Sequence, residues 1–269
     1  MKTFKFLQFM LMSVLLLGFV ACGGDDDEET PSKNPSNPVA LGFKKLVKMK
    51  IDDEAYGTGT EESYLFEYNK DGDLISVEWE EDDDTESFTY KWGKNELVVY
   101  CDGDLEFQYE ISDGKIVAGE QDSEVYEYQY DRNGYIETYV ESDEYEQKEE
   151  EISEFKWSDD RLSRVVKTYS DLWGEYETVY SFVYSTKECE GFFPLIGERF
   201  NDDDPLCYAA PWMFGAVQQS LPNKVKIADN GSSIETRTYS YTYDDDGYLK
   251  SCTIRYDDGC KKTYRFTWE

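Results

Sequence analysis

The sequence contains no histidine at all. Zinc centres built on imidazole, Ser-His-Asp triads and Cys-His dyads are therefore excluded as its chemistry. Basic residues are scarce: 27 Lys and Arg stand against 59 Asp and Glu, a formal charge of −32. Such a field repels phosphate backbones and anionic headgroups, so nucleic acid is ruled out as a partner, and the charges are expected to line the outside. Long apolar runs are also missing. Only Phe6–Val20 approaches one, and it is interrupted by Gln8 and Ser13 and falls short of the roughly 20 residues that a spanning helix needs. Cysteine gives no disulfide framework. Apart from Cys22 there are Cys101, Cys189, Cys207, Cys252 and Cys260, an odd number in spacings that match no zinc signature.

What is present begins with an export signal. Met1–Lys5 is basic, Phe6–Val20 is apolar, and Ala21 is the small residue before Cys22, the order of a secretory signal peptide. Val20-Ala21-Cys22 resembles the end of a bacterial lipobox, with Phe19 where leucine is usual; the resemblance implies lipidation of Cys22. The run Asp25-Asp26-Asp27-Glu28-Glu29 resembles the acidic export signal of Bacteroides-type surface lipoproteins. Thr30–Pro38 carries three prolines among polar residues and reads as a semi-rigid spacer. Residues 1–21 are thus expected to be signal peptide and 22–40 a lipidated, acidic tether. Residues 41–269 form one β domain, long enough for a single sizeable core.

Within that domain the aromatics recur. Phe66-Glu67-Tyr68-Asn69-Lys70-Asp71-Gly72-Asp73-Leu74, Tyr128–Ile136 and Tyr241–Leu249 share the form aromatic-x-aromatic, Asx-x-Asx-Gly, then an aliphatic. Looser copies run from Phe88, Phe107 and Phe155. Alternating aromatics such as Tyr264, Phe266 and Trp268 mark period-2 strands with one buried face. The turn residues suit a hairpin, since Asx side chains bond back to the backbone and glycine adopts the left-handed conformation. Acidic second turns lie between the copies. The spacing predicts an all-β, antiparallel up-and-down meander of about sixteen short strands. Open sheets rarely exceed about 10 strands, so closure into a barrel-like or spiral sheet is expected.

Residues 189–222 break the rhythm. Gly191–Ile196 and Leu206–Val217 are apolar without alternation, and Pro211 suits the start of a short helix. Phe192, Phe193, Trp212, Met213 and Phe214 need somewhere dry, either as a plug that completes the core or as a partner-docking patch.

The Tyr-Asp turn copies resemble the YD repeats of RHS-type shell proteins. Together with the lipobox, the insertion and Leu221-Pro222-Asn223-Lys224-Val225, they make the chain resemble a family of Bacteroides-type surface lipoproteins with a porin-like fold. That family has no assigned catalytic residues, so the resemblance transfers none. It implies an outer-membrane, lipid-anchored protein facing the exterior. A soluble barrel on a lipid tether is expected rather than a membrane barrel, because the polar neighbours of the aromatics include Lys91, Glu127 and Arg265.

Function is read more coarsely. The expectation is a non-catalytic surface lipoprotein that binds or scaffolds an extracellular glycan or protein. The alternative is a carboxylate-based glycan-active enzyme, and a third reading is a shell fragment related to YD-repeat proteins. Paired carboxylates suit glycoside hydrolysis, but with 59 acidic residues such pairs single out no catalytic residue. No cofactor is expected. Weak surface calcium is the one metal considered, at Asp202-Asp203-Asp204 or Asp244-Asp245-Asp246-Gly247, as a hard cation among oxygen ligands; neither run has EF-hand spacing.

Overall fold

A computed structural model describes residues 43–54, 59–143, 150–171, 174–188, 204–215 and 220–269. The expected signal peptide, the tether with Cys22, and Cys189, Phe192, Phe193, Asp202 and Asp203 in the insertion lie outside the described residues. The domain is built from β1 (Leu46–Asp53), β2 (Thr60–Tyr68), β3 (Leu74–Glu81), β4 (Asp84–Trp92), β5 (Glu96–Cys101), β6 (Asp104–Ser112), β7 (Lys115–Gln121) and β8 (Glu124–Tyr130). It continues with β9 (Ile136–Asp143), β10 (Glu150–Ser158), β11 (Arg161–Ser170), β12 (Glu175–Glu188), β13 (Ser220–Asp229), β14 (Ser232–Tyr243), β15 (Leu249–Arg255) and β16 (Lys261–Trp268). A four-residue helix, α1 (Leu206–Ala209), and a 3-10 turn (Pro211–Phe214) precede β13.

Every described strand pairs antiparallel with its neighbours in sequence, and β1 pairs with both β2 and β16. The sheet is a closed barrel, which settles the alternative between barrel and spiral. Met49 and Ile51 of β1 stand opposite Phe266 and Tyr264 of β16, and Lys45 and Glu269 exchange backbone hydrogen bonds of 2.6 and 2.9 Å beside that seam. Closure leaves none of the described strands with an edge open to another chain.

Alternation decides which side chains enter the core. In β2 Tyr64 and Phe66 are buried while Leu65 and Glu67 face out; β4 buries Phe88 and Tyr90 and exposes Thr89 and Lys91. Inward aromatics two residues apart stack along their strand: Tyr64 with Phe66, Phe107 with Tyr109 and Tyr264 with Phe266 lie 6.2, 5.7 and 6.5 Å apart with rings within 11° of parallel. The outer face carries ion pairs, Lys50 with Glu61 and Arg265 with Asp52, among exposed apolar side chains such as Leu65, Leu105 and Ile234.

The turns explain much of the aspartate content. Asp102-Gly103, Asp113-Gly114, Asp159-Asp160 and Asn230-Gly231 all hold positive φ at both positions, the two-residue hairpin geometry that Asx and glycine accept most readily. The barrel has a proximal end, with the start of β1 and the turns after even-numbered strands, and a distal end, with the turns after odd-numbered strands. The apolar insertion joins β12 to β13 at the proximal end. Its far limit falls short of residue 222, because Ser220-Leu221-Pro222 already belongs to β13 and Pro222 stands opposite Tyr184 at a bulge.

Candidate functional site

The proximal end is fastened by a repeated device. Asn69, Asp131 and Asp244 each accept two backbone N–H groups through Oδ1, from Asp71 and Asp73, Asn133 and Tyr135, and Asp246 and Tyr248, at 2.8–3.0 Å. Gly72, Gly134 and Gly247 follow with φ of 92, 82 and 91°. The aliphatic residues after these turns, Leu74, Ile136 and Leu249, sit where the register slips by one residue. A bulge frees a carbonyl from the ladder, and an aromatic two strands' worth of chain further on takes it. Trp92 Nε1 donates to Leu74, Trp157 Nε1 to Ile136 and Trp268 Nε1 to Leu249 at 2.6–2.7 Å. Tyr68, Tyr130 and Tyr184 do the same through their hydroxyls to Leu46, Ile116 and Leu162. The end is thus ringed by aromatics whose apolar bodies are packed and whose polar tips are satisfied.

The segment 204–215 lies among those aromatics. Leu206, Cys207, Tyr208 and Ala209 of α1 are all buried, as are Trp212, Met213 and Phe214 of the 3-10 turn that Pro211 opens. Tyr208 meets Tyr64 edge-on at 5.6 Å, and Phe214 lies 6.4 and 5.7 Å from Tyr109 and Tyr128. The turn ends at Gly215, where φ is 65° and an added Cβ would sit 2.5 Å from the Tyr130 ring and 2.7 Å from the Gly134 carbonyl. Its carbonyl accepts the Ile136 N–H.

Asp204, 1% exposed, joins this segment to the wall. Its carboxylate accepts the hydroxyls of Tyr90 and Tyr109 and the backbone N–H of Leu206, each at 2.9 Å. Burial raises its pKa to about 6, against the opposing pull of those three donors. The sequence places all charge outside; this carboxylate is the clearest exception, and three donors make its burial tolerable. In the other calcium candidate run Asp244 caps the turn, and Asp244 and Asp246 both pair with Lys44. Among the described residues no three carboxylates or thiols converge as metal ligands.

Toward the distal end the inward face changes from aromatic to charged. Asp53, Glu62, Glu86, Glu124, Glu141 and Glu151 occupy the inward phase of their strands, with Lys167, Arg237 and Lys262 as inward cations. Pairing is uneven around this mouth. Arg237 grips Glu235, and Lys262 lies 3.4 Å from Asp53. Across β8, β9 and β10 stand Glu124, Glu141 and Glu151; Lys167 bonds Glu151 at 2.7 Å and acts on Glu141. Tyr126 and Tyr139 donate their hydroxyls to Glu124 and Glu141. Burial, with Glu124 and Glu151 nearby, raises the pKa of Glu141 even so. On the other flank burial and the neighbouring Glu86 push the Cys101 thiol up to about 12, leaving it a poor nucleophile.

Sequence reasoning misses this mouth. Its signal is a charged residue two places before an inward aromatic: Glu62 before Tyr64, Glu86 before Phe88, Glu124 before Tyr126, Lys262 before Tyr264. Such residues share the aromatic's face, but they vanish among the many outward carboxylates.

No protein-family model and no curated protein matches this chain. Solved structures do. A porin-like protein from Bacteroides uniformis ATCC 8492 aligns over 87% of this chain and 99% of its own, with a TM-score of 0.63 and 16% identity. A porin-like protein from Bacteroides vulgatus ATCC 8482 aligns over 84% and 99%, with a TM-score of 0.63 and 12% identity. At these identities the likeness speaks for architecture. The chain has the porin-like barrel fold.

Proposed function

We propose that this protein is a non-catalytic cell-surface lipoprotein, anchored to the outer membrane through Cys22, that takes up an extracellular glycan or protein group at its distal mouth. The observation that carries the reading is the change of inward lining along the barrel, from packed aromatics at one end to half-buried charge at the other. Residues 204–215 act as a plug at the proximal end, so the barrel is a cup and not a channel. Its outer wall carries Lys48, Lys50, Asp52 and Arg265 side by side on β1 and β16. A Lys or Arg facing hydrocarbon costs about 2–4 kcal/mol near the bilayer midplane, so the barrel stands in water on its tether. β1, the first strand after the tether in the chain, begins at the proximal end, opposite the distal mouth.

Two measurements test this. Metabolic labelling with a palmitate analogue is expected to mark the wild-type protein and to be lost in Cys22→Ala; label that persists in the variant overturns the anchor. A glycan array run beside a hydrolase substrate panel is expected to give binding without turnover. Turnover abolished by one Asp or Glu substitution would instead establish the glycan-active alternative.

A further inference from the structure

The β8–β10 sector of the distal mouth gathers three inward carboxylates, Glu124, Glu141 and Glu151, beside one described inward cation, Lys167. Glu141 stands opposite both Tyr126 and Glu151 in the register, with Glu124 one inward position away on β8. Among the described residues Lys167 is the inward cation beside Glu141 and Glu151, and the Glu151 and Lys167 side chains retain 27 and 22% exposure. A second observation points to the same place. Ser153 follows Glu151 on the inward face of β10, opposite Tyr139 on one side and Lys167 on the other. It is 0% exposed, and its Oγ is a buried side-chain oxygen without a hydrogen-bond partner. A buried hydroxyl left unpaired is costly, and on the same inward face the carboxylates of Glu141 and Glu151 keep acceptor positions beyond those that Tyr139 and Lys167 fill.

We propose that Glu124, Glu141 and Glu151, with Ser153 behind them, receive a primary alkylammonium group, either of a free polyamine or of a lysine side chain. The inference rests on the reading of the mouth as a ligand site and names the chemistry of its ligand. An ammonium carries three N–H donors and a single charge. It would place donors on Glu141 and Glu151 and reach the Ser153 oxygen when Lys167 shifts along Glu151. Among the described residues no three carboxylates converge as metal ligands, so the ammonium bonds the facing pair Glu141 and Glu151, and Glu124 adds its charge. Tyr176, 44% exposed beside the mouth on β12, offers a ring face for the methylenes or the charge.

The test is calorimetric titration of the mature protein in physiological salt with spermidine, with Nα-acetyl-lysine methylamide, with tetramethylammonium and with calcium. Spermidine or the lysine amide is expected to bind, and the tighter of the two identifies the source of the amine. Glu141→Gln is expected to weaken binding about tenfold or more and Ser153→Ala about three- to tenfold, the range for charged and neutral hydrogen bonds. Glu154→Gln, an outward carboxylate on the same strand, leaves it unchanged. Equal binding of tetramethylammonium or calcium, or equal weakening by Glu154→Gln, would reduce the effect to the general acidic field and overturn the proposal. If neither amine binds while the glycan array is positive, the ammonium inference falls and the surface-binding reading stands. Amine binding by a protein absent from the cell surface would uphold the ammonium site and overturn the surface role.

Discussion

Asp204 concentrates the residue-scale physics. Its ordinary pKa of 3.8 rises to about 6 on burial, so the folded state holds its proton more tightly than the unfolded chain. The stabilisation from that proton is complete below about pH 3.8 and is lost as pH rises through 6. Asp204→Asn keeps the shape but cannot ionise. Its stability relative to wild type is expected to increase by about 2 kcal/mol between about pH 4.5 and 7.5, measured as the difference between the two denaturant midpoints across that range. A flat difference would show that Asp204 does not titrate there. Gly119 is constrained by space instead of charge. A methyl at its position would lie 2.7 Å from the Tyr109 ring and 3.3 Å from that of Tyr126, so the two rings lie over this glycine in mid-strand. Gly119→Val is expected to cost about 1–3 kcal/mol by overpacking, read from the melting temperature. Nothing local in Val117-Ala118-Gly119-Glu120 announces either ring; they arrive from β6 and β8 only after pairing.

At the scale of elements, strand and turn are legible in the sequence because each carries its own cause. Period-2 aromatics specify an inward face, and Asx-Gly pairs specify tight turns; both are local. The bulges are not legible, because a bulge is defined by the partner strand. The aromatic at each even strand's proximal end therefore reads as plain core, although Trp92, Trp157 and Trp268 also serve as donors to bulge carbonyls. Trp92→Phe keeps most of the apolar body and removes the N–H. It is expected to lower stability by about 1–3 kcal/mol, the cost of an unpaired buried carbonyl, as a shift in urea midpoint with unchanged slope. The insertion is legible as an apolar break in rhythm, and its residues Trp212, Met213 and Phe214 lie in the core. If the segment is a plug, Phe214→Ala should cost about 3–5 kcal/mol. Unchanged stability with loss of a binding partner would mark a docking surface instead.

At the scale of the whole molecule the charge of −32 leads to a rule, charge outside, that holds for most of the wall and fails at the mouth. The reason is geometric. A barrel has two inner ends as well as an outer face, and residues in the inward phase near a rim reach water without leaving the lumen. Composition cannot distinguish the inner rim from the outer wall; only strand register can. The same register decides how the barrel is solvated. Among the described residues the outward positions mix charged side chains such as Lys50, Asp52 and Arg265 with exposed apolar ones such as Leu65, Leu105 and Ile234, whereas the outward band of a membrane barrel is apolar. The domain from residue 41 onward is therefore expected to refold from urea in detergent-free buffer and to give a strand-dominated circular dichroism spectrum. Aggregation that only detergent relieves would mean that the outer wall meets lipid after all, and would overturn the tethered-cup reading at its base.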